Sequence, residues 1–189
     1  MLRRPFLAAF LGYPIASIAQ EAVSAVNLLR EGGVVVAMRH ALAPGTFDPP
    51  EFKVGDCRTQ RNLSDEGRAQ AKLIGQWFQR YELKPGRVRS SPWCRCVDTA
   101  TLAFGSAEPW AALSSPAGGA ASINVQAQRE LSLAVSAVSQ QSRRFEVWVT
   151  HQFVLTDLVG VAADSGEALL LRADKDGDNV RLLGRLPKI

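Results

Sequence analysis

Histidine is almost missing from this chain, whose 189 residues contain two, His40 and His151. Cysteine is scarce as well: Cys57, Cys94 and Cys96 are the three present. Cys94-Arg95-Cys96 has one residue between its thiols, where redox and zinc motifs have two, and two histidines are too few to complete a zinc site. No metal or other cofactor is therefore expected. Lysine and arginine form no cluster or aromatic-interleaved stripe, and the charge of +2 left once residues 1 to 19 are removed is too weak to argue for a nucleic-acid partner. Beyond the first residues no run is long and apolar enough to span a bilayer, so stable membrane insertion is not expected either. An apolar fraction of 47% and a charged fraction of 21% exclude a disordered or fibrous chain.

The amino terminus differs from the rest. Arg3 and Arg4 precede an apolar stretch from Phe6 to Ala16 that contains Pro14, and Ser17-Ile18-Ala19 offers small residues at the two positions a signal peptidase reads. Residues 1 to 19 read as a signal peptide cleaved near Ala19, which puts the mature protein in the periplasm or outside the cell. Cleavage removes two arginines and no acids and leaves a charge of +2. Residues 20 to 189 suffice for one domain with a sizeable core. An oxidising compartment favours pairing two of the three cysteines. Cys94 and Cys96, two apart on an expected helix, point to different sides, so Cys57 is expected to join one of them.

Both histidines close apolar, β-branched runs. Gly32-Gly33 interrupts a short helix over 21 to 30, and Val34-Val35-Val36-Ala37-Met38 then reads as a buried central strand ending in Arg39 and His40. A second strand over 145 to 150 delivers His151, with a helix after it. Ligands of parallel sheets sit at the carboxyl ends of strands, so the two histidines point to one shared site. A long loop follows His40. Ser64 caps a helix whose buried stripe is expected at Ala69, Leu73, Ile74, Trp77 and Phe78. A strand over 87 to 91 leads to Pro92 as the first residue of a helix reaching about Phe104, which places Arg95 in its first turn. A stretch over 130 to 141 reads as helical, and residues 167 to 185 as a hairpin around a polar turn. Its alternating aspartates resemble the start of a calcium loop, but Arg185 stands where a bidentate glutamate is needed.

Two strand-end histidines with Arg39 and Arg95 suit a phosphoryl group. Guanidinium forks match phosphate oxygens, neighbouring positive charge keeps imidazole neutral, and neutral imidazole is a competent nucleophile toward phosphorus. Met38-Arg39-His40-Ala41, Leu63-Ser64-x-x-Gly67-x-x-Gln70-Ala71, Ser91-Pro92-x-x-Arg95-x-x-x-Thr99-Ala100 and Val149-Thr150-His151 resemble, in order, the motifs of the histidine phosphatase superfamily. The resemblance runs from about residue 33 to 160. It implies the phosphoglycerate-mutase-like α/β fold: a three-layer sandwich with a mixed, mostly parallel central sheet flanked by helices. It further implies His40 as the phosphorylated nucleophile, with Arg39, Arg95 and His151 completing the phosphate pocket.

The chain departs from the family at two places. Ala41 stands where a glycine commonly follows the nucleophile. The family's Leu-x-Glu proton donor has its nearest counterpart in Glu130, which lies before Leu131 instead of after it. Glu130 is the candidate acid, with Asp48 and Asp56 as alternatives, while Asn62 and Arg61 could reach substrate or merely anchor the helix. The expectation is an exported, metal-independent phosphatase acting on small phosphomonoesters or phosphorylated side chains through a phosphohistidine. The alternative is a non-catalytic, phosphate-binding relative lacking a proper acid.

Overall fold

The computed structural model describes residues 15 to 115, 124 to 177 and 179 to 188. Of the expected signal peptide, residues 1 to 14 lie outside them. Helix α1, Ile15–Glu31, starts earlier than the expected helix, and the chain then turns through Gly32 and Gly33 into strand β1, Val34–Arg39. Both glycines have positive φ, and a Cβ on Gly32 would sit 2.3 Å from the backbone nitrogen of Arg143. The turn thus needs residues without side chains.

After β1 come a short 3-10 turn at Cys57–Thr59, helix α2 (Asp65–Arg80), strand β2 (Arg87–Ser90), helix α3 (Cys94–Phe104) and the two-residue strand β3 (Glu108–Pro109). Helix α4 (Val125–Ser139), strand β4 (Phe145–Thr150), helix α5 (Gln152–Val159), and the hairpin β5 (Ala168–Ala173) and β6 (Val180–Arg185) complete the order. The six strands form one sheet in the order β3-β2-β4-β1-β5-β6. β3, β2, β4 and β1 run parallel, while β5 is antiparallel to β1 and β6 to β5. The expected mixed, mostly parallel sheet between helices is the architecture found.

β1 lies between β4 and β5 in the sheet, and helices cover both of its faces. Val34, Val36 and Met38 pack with α1, α2 and α3, whereas Val35 and Ala37 pack with α4 and α5 on the other side. This two-sided burial explains why the strand shows no polar alternation. The register sets Arg39 beside Thr150 and Ser90 beside Val149, so the residues leaving β1, β2 and β4 emerge together at the carboxyl edge.

Three expectations need correction. The buried face of α2 is Gly67, Ala71, Ile74, Gly75 and Phe78, whereas Ala69 and Leu73 are exposed. The reason is close backbone approach: a Cβ on Gly67 would meet the Leu42 carbonyl oxygen at 2.0 Å, and one on Gly75 the Ala103 carbonyl oxygen at 2.3 Å. Pro92 precedes α3 instead of opening it, since Trp93 is the cap and Cys94 the first helical residue. Helix α4 begins at Val125, earlier than expected, with the Asn124 side chain accepting from the Ala127 amide. The hairpin stands as expected, its polar turn held partly by Asn179 donating to Asp174.

Candidate active site

The site grows from the ends of β1, β2 and β4. His40 is 3% exposed, and its Nδ1 lies 2.7 Å from the carbonyl of Ala41. Only an Nδ1–H can bond a carbonyl, so this contact selects the tautomer whose Nε2 carries the lone pair. The Ala41 peptide is itself anchored, since its N–H donates to Thr99 Oγ1 at 3.0 Å while that hydroxyl donates to the Arg95 carbonyl at 2.7 Å.

Arg95, in the first turn of α3 as expected, is buried at the centre. Its Nε donates to His40 Nε2 at 3.2 Å, its Nη2 lies 3.4 Å from His151 Nδ1, and its Nη1 pairs with Asp48 Oδ1 at 2.9 Å. With Nδ1 of His151 accepting from Arg95, Nε2 of His151 is the donor to Ser91 Oγ at 2.8 Å. The two imidazole rings stand edge to face, 5.6 Å between centroids. Arg39 approaches from β1, its Nη1 bonded to the Ala163 carbonyl and its buried Nε without a hydrogen-bond partner.

Burial, joined by the charges of Arg95, Arg39 and Arg61 against the Ala41 hydrogen bond, pulls His40 down from 6.5 to about 3. Burial and the adjacent Arg95 likewise hold His151 well below its ordinary value. Both rings are neutral at physiological pH. Burial alone would raise Asp48, but the Arg61 amide and the Arg95 guanidinium bond its carboxylate and bring it below the usual range. Burial lowers both Arg39 and Arg61, aided in each case by repulsion from Arg95 and opposed by an aspartate.

Arg39, His40, Arg95 and His151, the four residues expected to converge, line one cleft of about 530 Å³ together with Asp48 and Arg61. Asn62 does not line it; its amide donates to the carbonyls of Cys57 and Gln60. Glu130 does not line it either. It is exposed on α4 and accepts from Trp110 Nε1 at 2.6 Å. Asp56 is tied to Arg58 at the surface. Among the described residues lining the cleft, Asp48 is the one carboxylate. Sequence reasoning missed the bond from His151 Nε2 to Ser91 Oγ, although β2 and β4 pair in parallel and each of these residues directly follows its strand. It also missed the aromatic wall of Trp93 and Phe52.

The cysteines divide as geometry requires. Cys57 and Cys94 form a disulfide, which fastens the loop after His40 to the start of α3. Cys96 is free and buried, its thiol 3.5 Å from His151 Nε2, and burial raises it to about 12. It is therefore not a ready nucleophile at this site. Among the described residues no group of three or more histidine, cysteine or carboxylate side chains could hold a metal ion.

This sheet order, with its carboxyl-edge cleft, defines a phosphoglycerate-mutase-like α/β fold. Within it, residues 35–114 match the family described as the histidine phosphatase superfamily (branch 1). The matched segment carries Arg39, His40 and Arg95. The chain is similar in structure to the protein histidine phosphatase SixA complexed with tungstate, with a TM-score of 0.56, 16% identity, and 82% of this chain and 97% of that chain covered. It is also similar to the product of an open reading frame of Mycobacterium tuberculosis, with a TM-score of 0.58, 21% identity and 80% and 95% covered. A phosphoserine phosphatase of Entamoeba histolytica in complex with 3-phosphoglyceric acid gives 0.57 and 11%, with 80% and 95% covered. At these identities the likeness is one of fold. No curated protein matches the sequence.

Proposed function

We propose that the chain is a phosphatase of the histidine phosphatase superfamily that works through a phosphohistidine on His40. One observation carries the reading: a single buried guanidinium, Arg95, contacts both strand-end imidazoles, and the Nδ1 bond to Ala41 leaves His40 Nε2 as the lone-pair nitrogen. The matched family segment and the phosphatases among the structural neighbours support it.

A phosphate dianion entering the cleft competes for Arg95, drawing the guanidinium from His40 Nε2 and from Asp48. His40 Nε2 then attacks phosphorus as the P–O ester bond breaks, while Arg39, Arg95 and His151 stabilise the transferring oxygens. The departing oxygen needs a proton. Asp48 is held ionised by Arg95 and the Arg61 amide, but loss of Arg95 to the phosphate, and the added negative charge, both raise its pKa. It can then take up a proton, pass it to the leaving oxygen and recover one from the water that breaks the P–N bond. Asp48 thus replaces Glu130 as the proposed acid.

The test is turnover of aryl and alkyl phosphates in the presence of a chelator. Asp48→Asn should lower the rate on the alkyl ester by about 10² or more and affect a good aryl leaving group much less, with Glu130→Gln near wild type on both. No turnover of either ester by the intact protein would favour the non-catalytic alternative. We also infer export. The leader-like amino terminus and the Cys57–Cys94 disulfide support it. A soluble mature protein retaining Met1, seen by mass spectrometry, would refute it.

A further inference from the structure

Beyond the phosphate pocket the cleft changes character. Trp93 sets its edge against the His151 ring at 5.3 Å and 73°. Phe52 stacks on Trp93 at 5.0 Å and 24°. This aromatic series leads from the buried imidazole, through a Trp93 that is 8% exposed, to a partly exposed Phe52. Two more rings, Phe47 and Phe153, border the same cleft and are 64% and 44% exposed. Four aromatic side chains around one opening, two of them left largely in water, favour a ligand that covers them.

Several of the charged groups that line the cleft are already engaged. Arg61 Nη1 already donates to the carbonyls of Ala43, Pro44 and Gly45. Asp48 accepts from Arg95 and from the Arg61 amide, and Arg39 and Arg95 lie at the phosphate end. Thr46, Ser115 and Gln152 also border the cleft and could meet a polar chain, but only an apolar ring would take the exposed faces of Phe47 and Phe153 out of water.

Resting on the phosphatase reading for the position of the phosphate, we infer that the group carrying that phosphate is an aromatic ring, packed among Phe47, Phe52, Trp93 and Phe153. The ring can belong to a small free ester or to a phosphorylated tyrosine side chain.

Calorimetric binding of non-hydrolysable phosphonates separates this inference from the reaction itself. Benzylphosphonate should bind about ten-fold more tightly than dihydroxypropylphosphonate, as stacking on two or more rings implies. In the Phe47→Ala/Phe153→Ala variant that ratio should fall toward one; both rings are exposed, so the substitutions leave the core untouched. A peptide containing phosphonomethylphenylalanine distinguishes the sources. Binding tighter than that of benzylphosphonate assigns the ring to a protein side chain, and weaker binding assigns it to a free ester. Equal affinities in the wild type, or a preference that survives the double substitution, would overturn the inference. Benzyl phosphate turnover is read alongside. Turnover without the binding preference sinks the aromatic assignment and leaves the phosphatase standing, while the preference without turnover does the reverse.

Discussion

Arg95 makes three different contacts with one guanidinium, to His40, His151 and Asp48, and each has an electrostatic consequence. Burial first, with the Arg95 cation adding to it, keeps both imidazoles neutral, which a nucleophilic nitrogen requires. The same arrangement costs stability in acid. His40 has its folded pKa lowered to about 3, and His151 is lowered too, so below about 6.5 the unfolded chain binds protons that the folded chain refuses. Stability should therefore fall as pH drops from about 6.5 toward 3, each histidine contributing at most about 1.4 kcal/mol per pH unit. Urea unfolding of wild type and His40→Ala across this window checks it. The variant should lose stability less steeply, and parallel curves would contradict the assignment of His40 as buried and neutral.

At the scale of elements, the site depends on strand register and helix contact. β1 and β4 end side by side, which is why two histidines 111 positions apart in the chain meet across 5.6 Å. Helix α2 holds the loop after His40 through Gly67 and holds α3 through Gly75. Gly75→Ala makes a quantitative test. Helix propensity alone would reward alanine by about 1 kcal/mol, but its methyl would lie 2.3 Å from the Ala103 carbonyl oxygen and force two helices apart. The clash should win, with a net loss of roughly 1 to 3 kcal/mol, and a Tm at or above wild type in thermal unfolding would show the helices able to yield. These glycines mark what the sequence conceals. Strands and the Arg39, His40, Arg95 and His151 group were legible because apolar runs end abruptly in charge. The buried face of α2 was not, since a face formed by glycine leaves no hydrophobic signal. Likewise the family resemblance pointed to Glu130 as acid, but could not show that Trp110 engages it while Asp48, from the loop, enters the cleft. Cys57 was expected to pair with Cys94 or Cys96, and helix geometry turns Cys94 to it and Cys96 toward His151.

The whole molecule is a three-layer arrangement whose middle layer gathers its chemistry at one edge. Helices α1, α2 and α3 cover one face of the sheet and α4 and α5 the other, so the carboxyl edge of β1, β2 and β4 remains as the opening. The long loop after His40 closes one side of that opening, and the Cys57–Cys94 disulfide pins it to α3. Cross-linking residues this far apart in sequence contributes about 2 to 4 kcal/mol by restricting the unfolded chain. The architecture thus sets His40, a neutral imidazole, beside Arg39, Arg61 and Arg95 at this opening. The most direct test is to mix the protein with a phosphate ester, quench within milliseconds to seconds under alkaline conditions that preserve phosphoramidates, and map the modified peptide by mass spectrometry. The account predicts one phosphoryl group on His40, labile to acid and missing from His40→Ala, which should not turn over substrate. A phosphoryl group on His151, or undiminished turnover by His40→Ala, would contradict it.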